Sequence, residues 1–118
     1  LYARAIAVMV PPGEDIAPLR DALRAAGTNA DAVRHFNERV AGEMDLLPLL
    51  ERIEAPTLVL AGEHDPFGGP TADQVAEALP HPTVAIVHGA DHFPFLEPRA
   101  RVPWSQAVLE FLALRARA

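Results

Sequence analysis

Two short stretches of the chain concentrate the side chains able to move protons. The first, Gly62-Glu63-His64-Asp65-Pro66-Phe67-Gly68-Gly69-Pro70, offers two carboxylates and an imidazole. The second, His88-Gly89-Ala90-Asp91-His92-Phe93-Pro94-Phe95-Leu96-Glu97-Pro98, offers two imidazoles and two carboxylates. A carboxylate hydrogen-bonded to a histidine fixes the imidazole tautomer and stabilises the imidazolium, which is the orienting half of a nucleophilic triad. Other roles stand beside that one. Asp65, directly before Pro66, also suits a turn. Glu63 is the competing acid, two residues earlier, where it faces solvent or caps a turn. His88 ends an apolar run and competes with His92 as the base. His64 either borders the site or is a hydrogen-bonded loop residue. Asp91 either supports a positive ring at His92 or is an exposed loop carboxylate. His88 and His92 also have the spacing of helical metal ligands. Gly89 and the strand-like run before it argue against a helix there, and no Glu lies between the two, so no metal is expected. Phe67, Phe93 and Phe95 either line an apolar substrate pocket or pack the loops. His35 and His81 read as surface residues.

The elements that would position these loops are legible in the hydrophobic pattern. Each loop follows a short continuous apolar run, residues 57–61 and residues 83–87. Runs apolar on both faces suit parallel strands buried between helices. In open α/β sheets, functional groups collect in the loops that leave the carboxyl ends of such strands. Thr71 is placed to cap an intervening helix running to Leu79, with Ala72, Val75, Ala76 and Leu79 facing inward. Pro103 fits the first turn of a last helix whose Trp104, Val108, Phe111 and Leu112 form a core stripe. The result is one βαβ unit with a right-handed crossover and a closing helix. Upstream of about Ala55 the pattern is helical. Glu14 and Asp15 precede a helix with Ile16, Leu19, Leu23 and Ala26 on one face and Gly27 as its stop. Asn29 caps a second helix, with Val33, Phe36 and Val40 as its apolar face and Gly42 at its end. Asp45 caps a short third turn in which Pro48 is tolerated. Residues 1–10 fit a helix or a strand equally, and Pro11-Pro12-Gly13 ends either. Two strands alone expose both sheet edges. Further strands are therefore expected from another copy or from a polypeptide segment outside these residues.

Composition narrows the function classes. The 118 residues are 50% hydrophobic and 22% charged, the profile of one ordinary globular domain. The net charge is −6, and all ten basic residues are Arg, which argues against neutralising nucleic-acid phosphates. Cysteine is absent, which excludes disulfides, thiolate zinc sites and thiol nucleophiles. No apolar run approaches the roughly 18–20 residues of a membrane span, and the opening apolar segment is too short for a signal peptide. A cytoplasmic protein without nucleic-acid or membrane partners is expected. The first residue is Leu1 rather than Met, and the natural N-terminus is expected to lie upstream. Ser105 is the single serine.

With both loops and their strands in view, a resemblance becomes specific. APTLVLAGEHDPFGGP followed by VHGADHFPFLEPR resembles the last third of an α/β-hydrolase. In that family a strand of this type runs into Gly-x-x-Asp, and the next runs into a glycine-containing loop with a histidine, an apolar segment and Glu-Pro. The resemblance spans about residues 45–115 and implies that Asp65 is the triad acid and His92 the triad base. It implies that residues 55–118 are the C-terminal βαβα part of a doubly wound, mostly parallel sheet, and residues 1–54 a helical cap or lid remnant. It also implies ester or amide hydrolysis through an acyl-enzyme, without cofactor or metal, on a small ester or peptide-like substrate bordered by Phe67, Phe93 and Phe95.

RHFNERVAGEMDLLPLLERIEAPTLVLAG further resembles the return from cap to core in proline iminopeptidase-like hydrolases. In that case Glu38 or Glu43 would hold a substrate ammonium. In some iminopeptidases an acidic residue follows the triad Asp, whereas here Pro66 stands there, and an esterase or carbon–carbon bond hydrolase fits equally well. The family's Gly-x-Ser-x-Gly elbow does not occur among these residues. Ser105 follows His92 in chain order, without flanking glycines, and reads as a residue of the last helix's start. The nucleophile is therefore expected on an N-terminal half that is missing here or separate, and these residues alone are expected to be inactive. The alternative is a non-catalytic hydrolase-like binding module, or an inactive proteolytic fragment.

Overall fold

A computed structural model describes residues 13, 15, 17–27 and 29–116. Their elements, in chain order, are α1 (Ala17–Ala26), α2 (Ala30–Arg39), α3 (Leu47–Leu50), β1 (Thr57–Gly62), α4 (Gly68–Ala78), β2 (Pro82–Val87) and α5 (Arg101–Ala116). The architecture is mixed α/β around a two-stranded parallel sheet. The readings of residues 1–12, Glu14 and Ile16 fall outside the described residues, as does the side chain of Leu23. Among the described residues, no helix is long and apolar enough to cross a membrane.

The two apolar runs pair as neighbouring parallel strands, in register from Thr57 opposite Pro82 to Gly62 opposite Val87. The strands therefore end level, and the loops after them begin one strand spacing apart, about 4.8 Å. A parallel pair needs a crossover, and α4 supplies it. Its Ala72 and the following Leu79 are buried, with Val75 and Ala76 half-buried. Val87, Ala90 and Ala100 form a small core cluster, against which Leu60 and Trp104 pack. The cluster sits at the carboxyl end of β2, beneath the second loop.

Local chemistry explains the helix ends. The Asp15 side chain accepts the Ala17 N–H at 2.9 Å, and Gly27, at φ +64°, leaves α1 through a left-handed conformation. Asn29 accepts the N–H groups of Asp31 and Ala32, both at 3.0 Å, and so caps α2 as its residue type predicts. Asp45 accepts the Leu47 N–H at 3.1 Å before Pro48 enters the first turn of α3.

Four features depart from the sequence reading. The crossover helix starts at Gly68 rather than Thr71, because the Asp65 carboxylate accepts the Phe67 N–H at 2.9 Å and opens the helix earlier. Thr71 lies inside the first turn, its hydroxyl donating to the Phe67 carbonyl at 2.7 Å. The helix α2 ends at Arg39 rather than at Gly42, with the N–H groups of Val40 and Ala41 both donating to the Phe36 carbonyl. Its apolar face, Val33, Phe36 and Val40, is exposed. On β2, Val84 and Ile86 are 45% and 42% exposed, so one face of that strand is uncovered rather than buried on both sides. Of the stripe on α5, Trp104, Val108 and Phe111 are half-buried, but Leu112 is exposed rather than in the core.

Candidate acid–histidine site

The first loop turns sharply at the end of β1. The Glu63 N–H donates to the Val87 carbonyl at 3.0 Å and the His64 N–H to the Ala90 carbonyl at 2.8 Å. These two bonds stitch the loops together just beyond the sheet. Gly62 makes the approach possible: a Cβ there would collide with the carbonyl oxygens of Ala90 and Asp91. The second loop reverses through Gly89 at φ +69°, a conformation glycine adopts without strain.

This stitching delivers Asp65 and His92 to each other. Nδ1 of His92 lies 3.0 Å from both carboxylate oxygens of Asp65. The Asp65 side chain is 7% exposed and that of His92 34%, so the acid is enclosed while the ring is reachable. Burial pushes the Asp65 carboxyl up, but the N–H groups of Phe67 and Gly68 and the His92 ring outweigh it, and the net direction is below the ordinary value. Asp65 is thus ionised at neutral pH. An ionised carboxylate can only accept, so the Nδ1 contact is an N–H donated by His92. In the neutral ring this leaves Nε2 as the proton acceptor, the tautomer a general base needs.

Asp65 carries a second duty, because it accepts the first N–H groups of α4. The positive end of the helix supports its charge. Gly68 is part of the same arrangement, since a Cβ there would run into the Asp65 carboxylate.

The competing residues form a second, outer contact between the same loops. Glu63 accepts the Gly89 N–H at 2.8 Å and lies 3.5 Å from Nδ1 of His88 and 3.8 Å from Nε2 of His64. The Gly89 N–H, with smaller help from His64 and His88, holds the Glu63 carboxyl below its ordinary value. This cluster is open to water, with the His88 side chain 88% exposed, whereas the Asp65 carboxylate is enclosed. Among the described residues, no three His, Asp or Glu side chains are grouped to hold a metal ion.

Asp91 is buried at 7% exposure, which corrects its reading as an exposed loop carboxylate. Burial raises its carboxyl above the ordinary value, the Asp65 charge adds to the rise, and His64 opposes it. The two neighbouring acids are therefore pushed in opposite directions. Phe67 and Phe93 both meet the His92 ring edge-on, at centroid separations of 5.5 and 4.8 Å. Phe95 reaches His92 only through Phe93 and bridges onward to Trp104. Phe67 and Phe95 are about half exposed. Ser105 is far from this chemistry in role: its hydroxyl donates to the Arg101 carbonyl at 2.8 Å within α5.

Sequence reasoning passed over Gly62 and Gly68 as determinants, because a close approach has no signature in a single sequence. It also passed over Glu97, noted only for its place before Pro98. A scan against protein-family models, a search of curated proteins and a search of solved structures each returned no match.

Proposed function

We propose that these residues are the C-terminal part of a serine hydrolase of the α/β-hydrolase type, supplying the triad acid and histidine. The observation that carries the reading is the contact of His92 Nδ1 with the ionised, enclosed Asp65 carboxylate at the carboxyl ends of two parallel strands. In the reaction, His92 Nε2 takes the proton of a serine hydroxyl as it attacks an ester or amide carbonyl. The same proton passes to the leaving group, and a water then repeats the sequence to release the acid. Asp65 holds the ring tautomer and balances the imidazolium. Phe67 and Phe93 flank the ring and give the substrate an apolar border, with Phe95 behind them. Ester and amide substrates fit this border equally, and the aminopeptidase reading remains one branch of the proposal.

The serine comes from a segment outside these 118 residues. The distribution of apolar surface supports that part of the reading. Among the described residues, sixteen large apolar side chains are more than a third exposed, while four of the seven buried apolar residues are alanines. A finished core has the opposite inventory. Val84 and Ile86 on β2, and Leu109, Leu112 and Leu114 on α5, offer the uncovered surface that further strands and helices of a doubly wound sheet would bury.

A fluorophosphonate probe applied to the native protein tests the proposal. Labelling is expected on a glycine-flanked serine outside these residues, lost in His92→Ala and retained in His88→Ala. Stoichiometric labelling of Ser105, or labelling that survives His92→Ala, would overturn it. No labelling anywhere, together with an intact fold, would leave the binding-module alternative in its place.

A further inference from the structure

Glu97 is a buried carboxylate that the proposed reaction does not use. It is 5% exposed, and its side chain reaches back across the second loop. Both carboxylate oxygens lie 3.2 Å from the Asp91 nitrogen, and Oε1 lies 3.3 Å from the Phe93 nitrogen. The two amides it accepts are those on either side of His92. Its own backbone is fixed in turn. The Glu97 N–H donates to the Phe93 carbonyl at 3.2 Å, and its carbonyl accepts the N–H groups of Ala100 and Arg101 at 3.1 and 2.9 Å, where α5 begins.

From this geometry we infer that Glu97 is a positioning residue for His92, clamping the backbone on both sides of the histidine so that its ring stays on Asp65. The inference rests on the reading of His92 as the triad base, but its structural content can be tested without turnover. The physical reason is accounting of buried donors. The loop that carries His92 has no strand or helix of its own to satisfy the amides of Asp91 and Phe93, and buried N–H groups without acceptors are rare. One carboxylate with four lone-pair sites can take both. Fixing the dihedrals of residues 91–93 fixes the direction of the His92 Cα–Cβ bond. The Asp65 contact then needs only the ring torsions. A neutral amide at position 97 has one oxygen for two N–H groups, and its amino group faces a donor in either orientation.

The test uses Glu97→Gln in the native protein, with the exposed Glu110→Gln on α5 as the baseline. The Nδ1 proton of His92 is expected at low field in the unaltered protein, and in the Gln variant it should broaden by exchange with water. The amides of Asp91 and Phe93 should exchange faster, while those of β2 stay protected. Turnover, where it is measured, should fall about 10²-fold in kcat with KM nearly unchanged, the effect of a misplacement of about 1 Å. If Glu97→Gln leaves the His92 proton and both amides as they were, the inference is wrong, whatever the activity. If those signals change in a protein that hydrolyses nothing, the clamp stands and the hydrolase reading falls. Should the Gln variant fail to fold, hydrogen exchange of the unaltered protein decides. Protection of Asp91 and Phe93 matching that of Ala90 supports the clamp, and exchange of both at open-loop rates overturns it.

Discussion

Replacing Asp65 by Asn exchanges one acceptor oxygen for an amino group at a point where three donors converge. The carboxylate receives the N–H of Phe67 at 2.9 Å, that of Gly68, and His92 Nδ1–H at 3.0 Å. Its four lone-pair sites accommodate all three, whereas a carboxamide has one oxygen and two donors of its own. Whichever way the amide turns, its amino group faces a donor. The two backbone N–H groups cannot adapt, but the imidazole can, by moving its proton to Nε2 and accepting at Nδ1. A hydrogen bond to a charged group contributes about 1.5–3 kcal/mol and a neutral one about 0.5–1.5. The preference for the Nδ1–H tautomer should therefore weaken by about 1–2 kcal/mol, roughly 5–30-fold in the tautomer ratio. Long-range proton–nitrogen correlation spectra of His92 read that ratio directly. Under the proposed hydrolase reaction, turnover should fall much further, because a ring protonated at Nε2 cannot accept the serine proton; in the serine-protease template the same change lowers kcat by about 10⁴. An Asn variant that keeps its proton on Nδ1, or that turns over near the normal rate, would refute the reasoning.

Two glycines and a buried acid give further expectations. Gly62→Ala should lower stability by about 1–3 kcal/mol in denaturant titrations, because the new methyl meets backbone carbonyls that cannot swing aside. Gly68→Ala should displace the Asp65 carboxylate and weaken the His92 Nδ1 proton signal, whereas Gly69→Ala, with open space around it, should leave both unchanged. The acids Asp65 and Asp91 should act oppositely with pH. Asp65 titrates below its ordinary value in the folded chain, so its stabilisation is present above that value and is lost as pH falls through the lowered one. Asp91 titrates above its ordinary value, so its contribution is present in acid and is lost as pH rises through the raised one. Asp91→Asn should therefore stabilise the fold at neutral pH, with the gain vanishing below about pH 3.9. A destabilised Asn variant at neutral pH, or a gain that persists in acid, would contradict this assignment.

Sequence and tertiary structure divide the work differently at the strands and at the acids. Two apolar runs bounded by Pro56, Gly62 and Gly89 dictate two strands, and the crossover length makes them parallel neighbours. That much follows from local pattern, because each strand's residues favour the extended, pleated conformation by themselves. Level strand ends then place an acid-bearing loop beside a histidine-bearing one. The capping roles of Asn29 and Asp45 are equally local, since a side chain two or three residues away satisfies each N–H. The resemblance already favours Asp65 over Glu63 as the acid, but the different enclosure of the two is not local. Both acids make contacts across the same pair of loops, but Asp65 is enclosed between His92 and the start of α4, while Glu63, beside His64 and His88, is open to water. The burial of Asp91 and the reach of Glu97 to the amides around His92 also depend on how the second loop folds onto the start of α5. The same holds for the exposed faces of α2 and β2. Periodicity marks Val33, Phe36 and Val40 as an apolar face, but only packing decides whether anything covers it, and among the described residues they remain exposed. A sequence carries its dihedral and capping preferences within a few residues, whereas enclosure is set by chain segments brought together from far apart.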